Sequence, residues 1–178
     1  FQINSLNGSG AVNEVSGPMI LISGIPVTNT NYTHTFSNPD YDGFLNPNPW
    51  GTNNEGCLRI GESNSTWMII NIETTGVLEM SFGAGGAQTG FYDWAMWPYD
   101  ANSCSTIPGN SVAPVRCNWN SQSNGGTGIA NTIPSGGVAG NYEPGLNVTC
   151  GDKFIICFSN FSSIQSNVPI NFFGSATV

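Results

Sequence analysis

The chain has 178 residues, of which only 8% are charged, and its formal net charge is −8. Three basic residues against eleven acidic ones cannot form a patch that neutralises phosphates, which argues against nucleic acid and an anionic membrane surface. No run of about 18 apolar residues is present, which argues against membrane insertion. With 39% hydrophobic residues the chain is too apolar to be disordered. Its length suits a single domain, 1–178, with its own core.

Short apolar runs separated by Gly, Pro and Asn predict strands along most of the chain. The runs are GPMILISGIPVT (17–28), TWMIINIET (66–74), GVLEMSFG (76–83), FYDWAMW (91–97), APVRCNW (113–119), DKFIICFSN (152–160) and VPINFFGSATV (168–178). A tight turn separates the second run from the third, so these two strands are expected to form a hairpin. The fold class is therefore all-β, a sandwich or a barrel, with long Gly/Asn-rich loops at 37–56 and 120–145.

Five cysteines without a CxxC pair, together with a single histidine, argue against zinc and favour disulfides in an oxidising compartment. Cys104 and Cys117 bracket a loop between two predicted strands and are expected to pair. Cys57 and Cys150, each beside a strand, form the second expected pair. Cys157 is then a buried thiol within FIICFS. The spacing leaves other connectivities open.

The segment NPDYDGFLNPN is the best metal candidate in the chain. Asp40 and Asp42 stand two residues apart before Gly43, so both carboxylates can turn toward one hard cation such as calcium. The spacing of an EF-hand is missing, because no glutamate closes the loop. An Asp-rich turn without an ion explains the segment slightly better than a calcium site does. No other cofactor is expected.

Catalysis finds little support among the residues. His34 lies in NYTHTF, an alternating polar segment typical of an edge strand, and no Gly-x-Ser-x-Gly nucleophile elbow is present. We therefore expect a protein that is not an enzyme and has no catalytic residues. A secreted hydrolase is the less favoured alternative, since the members of a Ser–His–Asp triad need only meet in space. Aromatic side chains offer a different function, since Trp97, Tyr99 and Trp119 are candidates for contact with a ligand or another subunit. Exposed rings with neighbouring amides would suit a carbohydrate-binding module.

Several segments, taken in order, resemble a β-sandwich module of Bacteroidetes secreted surface proteins, typically adhesins exported by the type 9 secretion system. The similar segments are CLRIGESNSTWMIINIETTGVLEMSFG (57–83), FYDWAMWPYD with its following cysteine (91–104), PVRCNWNSQSNGGTGI (114–129), LNVTCGDKFIICFSNFS (146–162) and NVPINFFGSA (167–176). Residues 1–56 match no part of that module. Cys150 and Cys157 depart from its usual pattern.

The resemblance implies an antiparallel, jelly-roll-like β-sandwich that is secreted and acts at the cell surface without catalysis. Its partners would be copies of itself or other surface proteins, with glycans as an alternative. Apart from the resemblance, the apolar segments GPMILISG and INFFGSATV near the two chain ends can pair with the open edge of a neighbouring subunit. Residues 1–30 would then supply a strand extension used in assembly, and the chain would be a subunit of a surface filament. In related modules the strand that corresponds to 91–97 often carries an acid near a calcium site, which adds Asp93 to the candidate ligands. The same strand would place Tyr92, Trp94 and Met96 in the core.

Overall fold

The computed structural model describes residues 4–6, 19–22, 31–35, 58, 66–83, 91–107, 111–120, 125–160 and 167–178. Regular structure in these residues consists of twelve strands, one short α-helix and one 3-10 turn at 139–141. The elements are β1 (Asn4–Leu6), β2 (Met19–Ile22), β3 (Asn31–Thr35), β4 (Thr66–Asn71), β5 (Gly76–Phe82), β6 (Tyr92–Pro98), α1 (Ser103–Thr106), β7 (Arg116–Trp119), β8 (Thr127–Ile129), β9 (Tyr142–Glu143), β10 (Leu146–Val148), β11 (Lys153–Asn160) and β12 (Asn167–Gly174). In the described part of the chain, no helix has the length and apolarity needed to cross a membrane.

The strands form two sheets, which agrees with the predicted all-β class. Sheet A has the order β1-β2-β4-β11-β6-β7, and sheet B has the order β3-β12-β5-β8-β9, with β10 also paired to β5. Neighbours are antiparallel except for two parallel pairs, β2 with β4 and β8 with β9. The expectation of wholly antiparallel pairing is therefore wrong at one place in each sheet. Each of the seven apolar runs contains a strand, and β3, which carries His34, lies at an edge.

The expected hairpin between β4 and β5 is wrong, because the two strands belong to different sheets. After β4 the chain stays bonded to the end of sheet A, where Ile72 N donates to Asp152 O over 2.9 Å. One residue later Glu73 N donates to Thr177 O over 2.8 Å, and the chain has crossed to the C-terminal segment that follows β12. Residues 72–75 are thus a crossover between sheets.

The main core receives side chains from both sheets. Its members are all buried: Met68, Ile70, Ile72, Leu78, Met80, Phe82, Tyr92, Trp94, Met96, Ile129, Val148, Phe154, Ile156, Phe158, Ile170, Phe172, Ala176 and Val178. Alternation explains the set, since every second residue of a strand faces the same side of its sheet. Each large side chain removed from water contributes about 1.5–3 kcal/mol before the entropy cost of ordering it.

A second cluster covers the opposite face of sheet A, which we call the outer face. It consists of Leu58, Trp67, Ile69, Ala95, Trp97, Ile107, Ile155 and Cys157, all buried. Six of these residues are the alternate positions of β4, β6 and β11, whereas Leu58 and Ile107 come from outside the strands. The three strands β4, β6 and β11 are therefore apolar on both faces along most of their length, which is why they read as nearly continuous apolar runs.

Candidate functional site

One end of the outer face remains open to solvent. Among the described residues, Phe91 and Trp119 are the large hydrophobic side chains that are exposed, by 38% and 47%. Strand pairing sets Trp119 on β7 directly opposite Asp93 on β6. Phe91 stands two residues before Asp93 and so shares its face. We call this group of three residues the Phe91–Asp93–Trp119 patch.

Backbone geometry brings Asp93 and Trp119 close together. Asn120 N donates to the carbonyl of Tyr92 opposite it over 2.7 Å, so these two residues form a hydrogen-bonded pair. In an antiparallel ladder the next pair lacks backbone hydrogen bonds, and its side chains approach most closely. That next pair is Asp93 with Trp119. The carboxylate and the indole ring are therefore neighbours in the patch.

Trp119 is held firmly although its ring is exposed, because the residue on each side of it is a buried asparagine. Asn118 accepts from Trp119 N over 2.6 Å and donates to Glu143 Oε1 over 2.8 Å. Asn120 Oδ1 accepts from Asn141 Nδ2 over 2.9 Å. Both asparagines are therefore tied to the segment that carries β9, and the exposed ring is presented from an ordered backbone.

Behind the patch, a chain of buried hydrogen bonds links β6 to sheet B. Trp94 Nε1 donates to Thr127 Oγ1 over 2.9 Å, and that hydroxyl donates to Asn141 O over 2.7 Å. Asn141 Nδ2 also donates to Gly126 O over 3.2 Å. These groups are buried, so their mutual bonds offset the loss of water. They fix β6 from the side of the main core and support the patch without reaching solvent.

Asp93 carries an altered ionisation in this setting. Burial raises the pKa of its carboxyl from 3.8 to about 7, since a low-dielectric environment disfavours the charged form. On β11 the residue opposite Asp93 is Ser159, which is buried, and on β7 it is Trp119. Neither neighbour carries a charge that could compensate the carboxylate.

Trp97 is not a contact residue, which corrects the sequence-based expectation. Its side chain is fully buried and stacks on Trp67, with ring centroids 5.8 Å apart and an interplanar angle of 22°. Ile107 and Leu58 belong to the same cluster and cover this part of the outer face. Tyr99 is half-buried and packs against the edge of that cluster. Of the three expected contact residues, Trp119 is exposed, Tyr99 is half-buried and Trp97 is buried.

The expected calcium ligands are not brought together by the described structure. Within the described residues, no group of three or more Asp, Glu, His or Cys side chains is placed to hold a metal ion. Asp93 stands among aromatic and small side chains instead, and Asp40 and Asp42 lie outside the described residues. The calcium site in NPDYDGFLNPN stays a prediction.

The cysteines agree only in part with the expected pairing. Cys157 is a buried thiol outside any disulfide, as expected, but Cys150 is also a thiol and is exposed. The Cys57–Cys150 pair is therefore wrong, because Cys150 lies in the turn between β10 and β11 with its side chain in solvent. Cys117 is disulfide-bonded, so its partner is Cys57 or Cys104. The side chains of both lie outside the described residues, and the Cys104–Cys117 pair stays a prediction.

Sequence reasoning found Asp93 and Trp119 but gave them different roles, and it did not assign Phe91 to the site. The signal for Phe91 was available, since alternation along 91–97 sets it on the face of Asp93. Pairing of β7 with β6, which brings Trp119 to the same place, depends on contacts that spacing does not reveal.

Comparisons with protein-family models, with curated proteins and with solved structures give no match for this chain.

Proposed function

We propose that this chain is a non-catalytic, extracellular structural and adhesive module of a cell-surface protein, built as a jelly-roll-like β-sandwich. The sandwich arrangement is supported by the main core, to which two sheets contribute their inward-facing residues as layers packed face to face do. The resemblance of residues 57–176 to surface modules of secreted bacterial proteins supports the location and the absence of catalysis.

The Phe91–Asp93–Trp119 patch carries the adhesive part of the proposal. Trp119 is 47% exposed, yet buried asparagines fix the backbone on both sides of it. Exposed, preorganised tryptophans are the kind of side chain that dominates binding energy at protein interfaces, because little conformational entropy is lost when a partner covers them. A binding surface on this end of the outer face follows from that arrangement.

Retention of coated beads in a flow cell tests this function. Beads carrying the chain would pass over immobilised basic protein, neutral protein, neutral polysaccharide and the chain itself. An adhesive module holds the beads on at least one surface, and Trp119→Ala lowers retention there about tenfold or more. Pro98→Ala, which removes an exposed side chain at the opposite end of β6, is the matched control and should change nothing. Failure of every surface to hold the beads, or equal retention by the Trp119 variant, would contradict the proposal.

Assembly into a surface filament is a further part of this proposal, and the sheet edges support it. Among the described strands, β1 and β7 lie at the two edges of sheet A and β3 lies at one edge of sheet B. An edge strand offers unpaired backbone groups to another chain. In this structure β2 pairs with β4 of the same chain, so exchange of residues 1–30 between copies is the route by which this segment would link subunits. Electron microscopy should show filaments that disappear when residues 1–30 are deleted. Isolated particles at every concentration would exclude filament assembly and leave the adhesive function standing.

Carbohydrate binding is the second candidate, favoured by the exposed Trp119 ring and the carboxylate beside it. A sugar face can stack on an indole while its hydroxyls donate to carboxylate or amide oxygens. Glycan-array binding that disappears in Trp119→Ala would support this alternative. An array without any signal would remove it.

A further inference from the structure

The feature that needs a partner most is the Asp93 carboxylate. It is shielded from water on a sheet face, with Ser159 on one side and Trp119 on the other. Within the described residues, no hydrogen bond or ion pair to this carboxylate is found. A carboxylate that has lost part of its hydration without a counter-charge is costly in the ionised form, and a cation that approaches it recovers that free energy.

Among the described residues, the neighbours of Asp93 on β6, β7 and β11 do not supply this cation. Phe91, just before β6, and Ala95 on β6 share the face of Asp93. On β7 the residue two positions before Trp119, on the same face, is the disulfide-bonded Cys117. On β11 the residue beyond Ser159 on that face is Cys157, the one titratable group among these neighbours.

The basic residues of the described part lie elsewhere. Lys153 is exposed on β11, six residues from Ser159, which is about 20 Å along a strand. Arg116 is engaged with backbone carbonyls, donating to Val115 O over 2.9 Å and to Pro144 O over 3.2 Å. Neither basic side chain of the described residues therefore neutralises Asp93, which leaves this carboxylate available to a cation of another molecule.

We propose that the Phe91–Asp93–Trp119 patch binds the lysine or arginine side chain of a partner protein, with the Asp93 carboxylate as counter-ion and the two aromatic rings against the cation and its alkyl stem. This inference rests on the proposed adhesive function and adds the chemistry of the partner. Aromatic rings attract cations through their negative faces, and the apolar stem of lysine or arginine covers exposed ring surface at the same time.

Charge complementarity favours a cation over a neutral sugar at this patch. The chain carries a net charge of −8, so its long-range potential draws basic partners and repels acidic ones. A sugar hydroxyl would hydrogen-bond to Asp93 in either ionisation state, but a cation gains its full attraction only from the carboxylate. Affinity for the cation must therefore depend on pH, whereas affinity for a sugar depends on it weakly.

The sign and size of this dependence follow from the ionisation of Asp93. With a pKa of about 7 in the unbound chain, the carboxylate is mostly protonated at pH 5.5 and mostly ionised at pH 8.5. Because the cation binds the ionised form, its dissociation constant should fall about 30-fold between these two pH values.

The experiment is an NMR titration of the ¹⁵N-labelled full chain with the peptide acetyl-Gly-Gly-Lys-Gly-Gly-amide at pH 5.5 and pH 8.5. The readout is the indole N–H signal of Trp119, which the spectrum of Trp119→Phe identifies among the five tryptophans. We expect saturable binding at pH 8.5 with a dissociation constant on the order of millimolar, as suits one cation on an exposed aromatic site. The same peptide with glutamine in place of lysine should not bind.

Two charge-removing variants complete the test. Asp93→Asn should weaken binding of the lysine peptide at pH 8.5 at least about tenfold and abolish its pH dependence. Glu73→Gln removes the same charge from an exposed residue outside the patch and should leave both unchanged. Unaltered signals of the other four indoles show that each variant is folded.

The remaining outcomes separate this inference from the proposed function. If cellotetraose shifts the Trp119 signal and the lysine peptide does not, the patch binds a glycan and the proposed cation binding is overturned. Absence of peptide binding, while bead retention still depends on Trp119, would overturn the cation and leave the adhesive function standing. Binding of the peptide that Asp93→Asn does not weaken would also overturn it.

Discussion

Asp93 has a partly buried carboxyl group beside exposed aromatic rings, and its burial disfavours the ionised form. Its pKa is raised to about 7 in the folded chain, above the ordinary 3.8, because burial penalises the charge. Its contribution to the free energy of unfolding is therefore fully present below about pH 4, and it is lost as the pH rises through 7. An ion-paired carboxylate gains stability from ionisation, whereas burial gives Asp93 the opposite sign, as the proposed cation site requires of an unpaired carboxylate.

Replacing Asp93 by asparagine tests directly whether ionisation of Asp93 lowers the stability of the fold. The asparagine side chain fits the same space without a charge, so Asp93→Asn should raise the free energy of unfolding at pH 8.5 by about 2 kcal/mol. That value is roughly half of what the full pKa shift corresponds to, since the half-buried carboxylate keeps some contact with water. At pH 4 the variant and the parent should be equally stable. Urea denaturation at both pH values measures this, and a variant less stable than the parent at pH 8.5 would contradict it.

Thr127 is a polar residue whose hydroxyl serves two buried partners. It accepts from Trp94 Nε1 over 2.9 Å and donates to Asn141 O over 2.7 Å. Thr127→Val keeps the shape but leaves both partners unsatisfied, so we expect a loss of about 2–3 kcal/mol in the free energy of unfolding. Thr127→Ser keeps the hydroxyl and loses one methyl group, and about 1 kcal/mol is expected. Equal losses in the two variants would show that the hydrogen bonds contribute little.

For individual residues, the sequence predicts well which face of a strand a side chain occupies. It predicts less well which other residues cover that face. Alternation along 91–97 sets Tyr92, Trp94 and Met96 together, and the structure buries all three in the main core. The same alternation left Trp97 on a face that was expected to be open. Leu58 and Ile107 cover that face, and since neither lies in a strand, no periodicity connects them to Trp97.

At the scale of elements, the apolar runs predict where strands lie but not how they pair. Both β4 and β5 were expected from their patterns, yet a short connection between two strands fits a hairpin and a crossover equally well. The distinction depends on β11 and β12, which occupy the positions beside β4 and β5. Because those partners are distant in sequence, local turn chemistry could not identify them.

The short strands β8 and β9 were missed for a related reason. Both lie within 120–145, a segment whose many glycines and asparagines are typical of loops. Gly128 belongs to β8, where a Cβ would overlap the carbonyl oxygen of Met80 on the neighbouring strand. Glycine here permits close approach of two backbones, so a residue that weakens strand propensity is required by this pairing.

Gly174 gives an element-scale prediction, because it ends β12 beside the start of β5. Its φ is +92°, and a Cβ would overlap the carbonyl oxygen of Val77. Gly174→Ala should therefore lower the free energy of unfolding by about 3 kcal/mol through backbone strain and displacement of β5. Gly140→Ala is the matched control, since a Cβ there has nothing within 4 Å, and it should change stability by less than about 0.5 kcal/mol. Thermal and urea unfolding measure both, and equal effects would contradict the close approach.

At the scale of the whole molecule, composition predicts the kind of surface and the class of fold. With 8% charged residues, the surface must be covered mostly by uncharged polar groups, and the described strands form the expected two sheets. What composition cannot predict is the position of each cysteine relative to solvent. Cys150 and Cys157 are close together in the sequence, yet the first is exposed in a turn and the second is buried on the outer face of sheet A.

The difference in exposure between Cys150 and Cys157 allows thiol modification rates to report the global stability of the fold. Cys157 lies on β11, which is bonded to β4 and β6 on its two sides, so its thiol can meet a reagent only when sheet A opens. Iodoacetamide should therefore modify Cys150 in the native chain at least about a thousandfold faster than Cys157. Peptide mapping by mass spectrometry distinguishes the two sites, and Cys150→Ser shows the slow site alone. Addition of urea below the unfolding transition should speed modification of Cys157 far more than that of Cys150. Comparable rates at both cysteines in buffer would mean that β11 opens without global unfolding, contrary to its central position in the sheet.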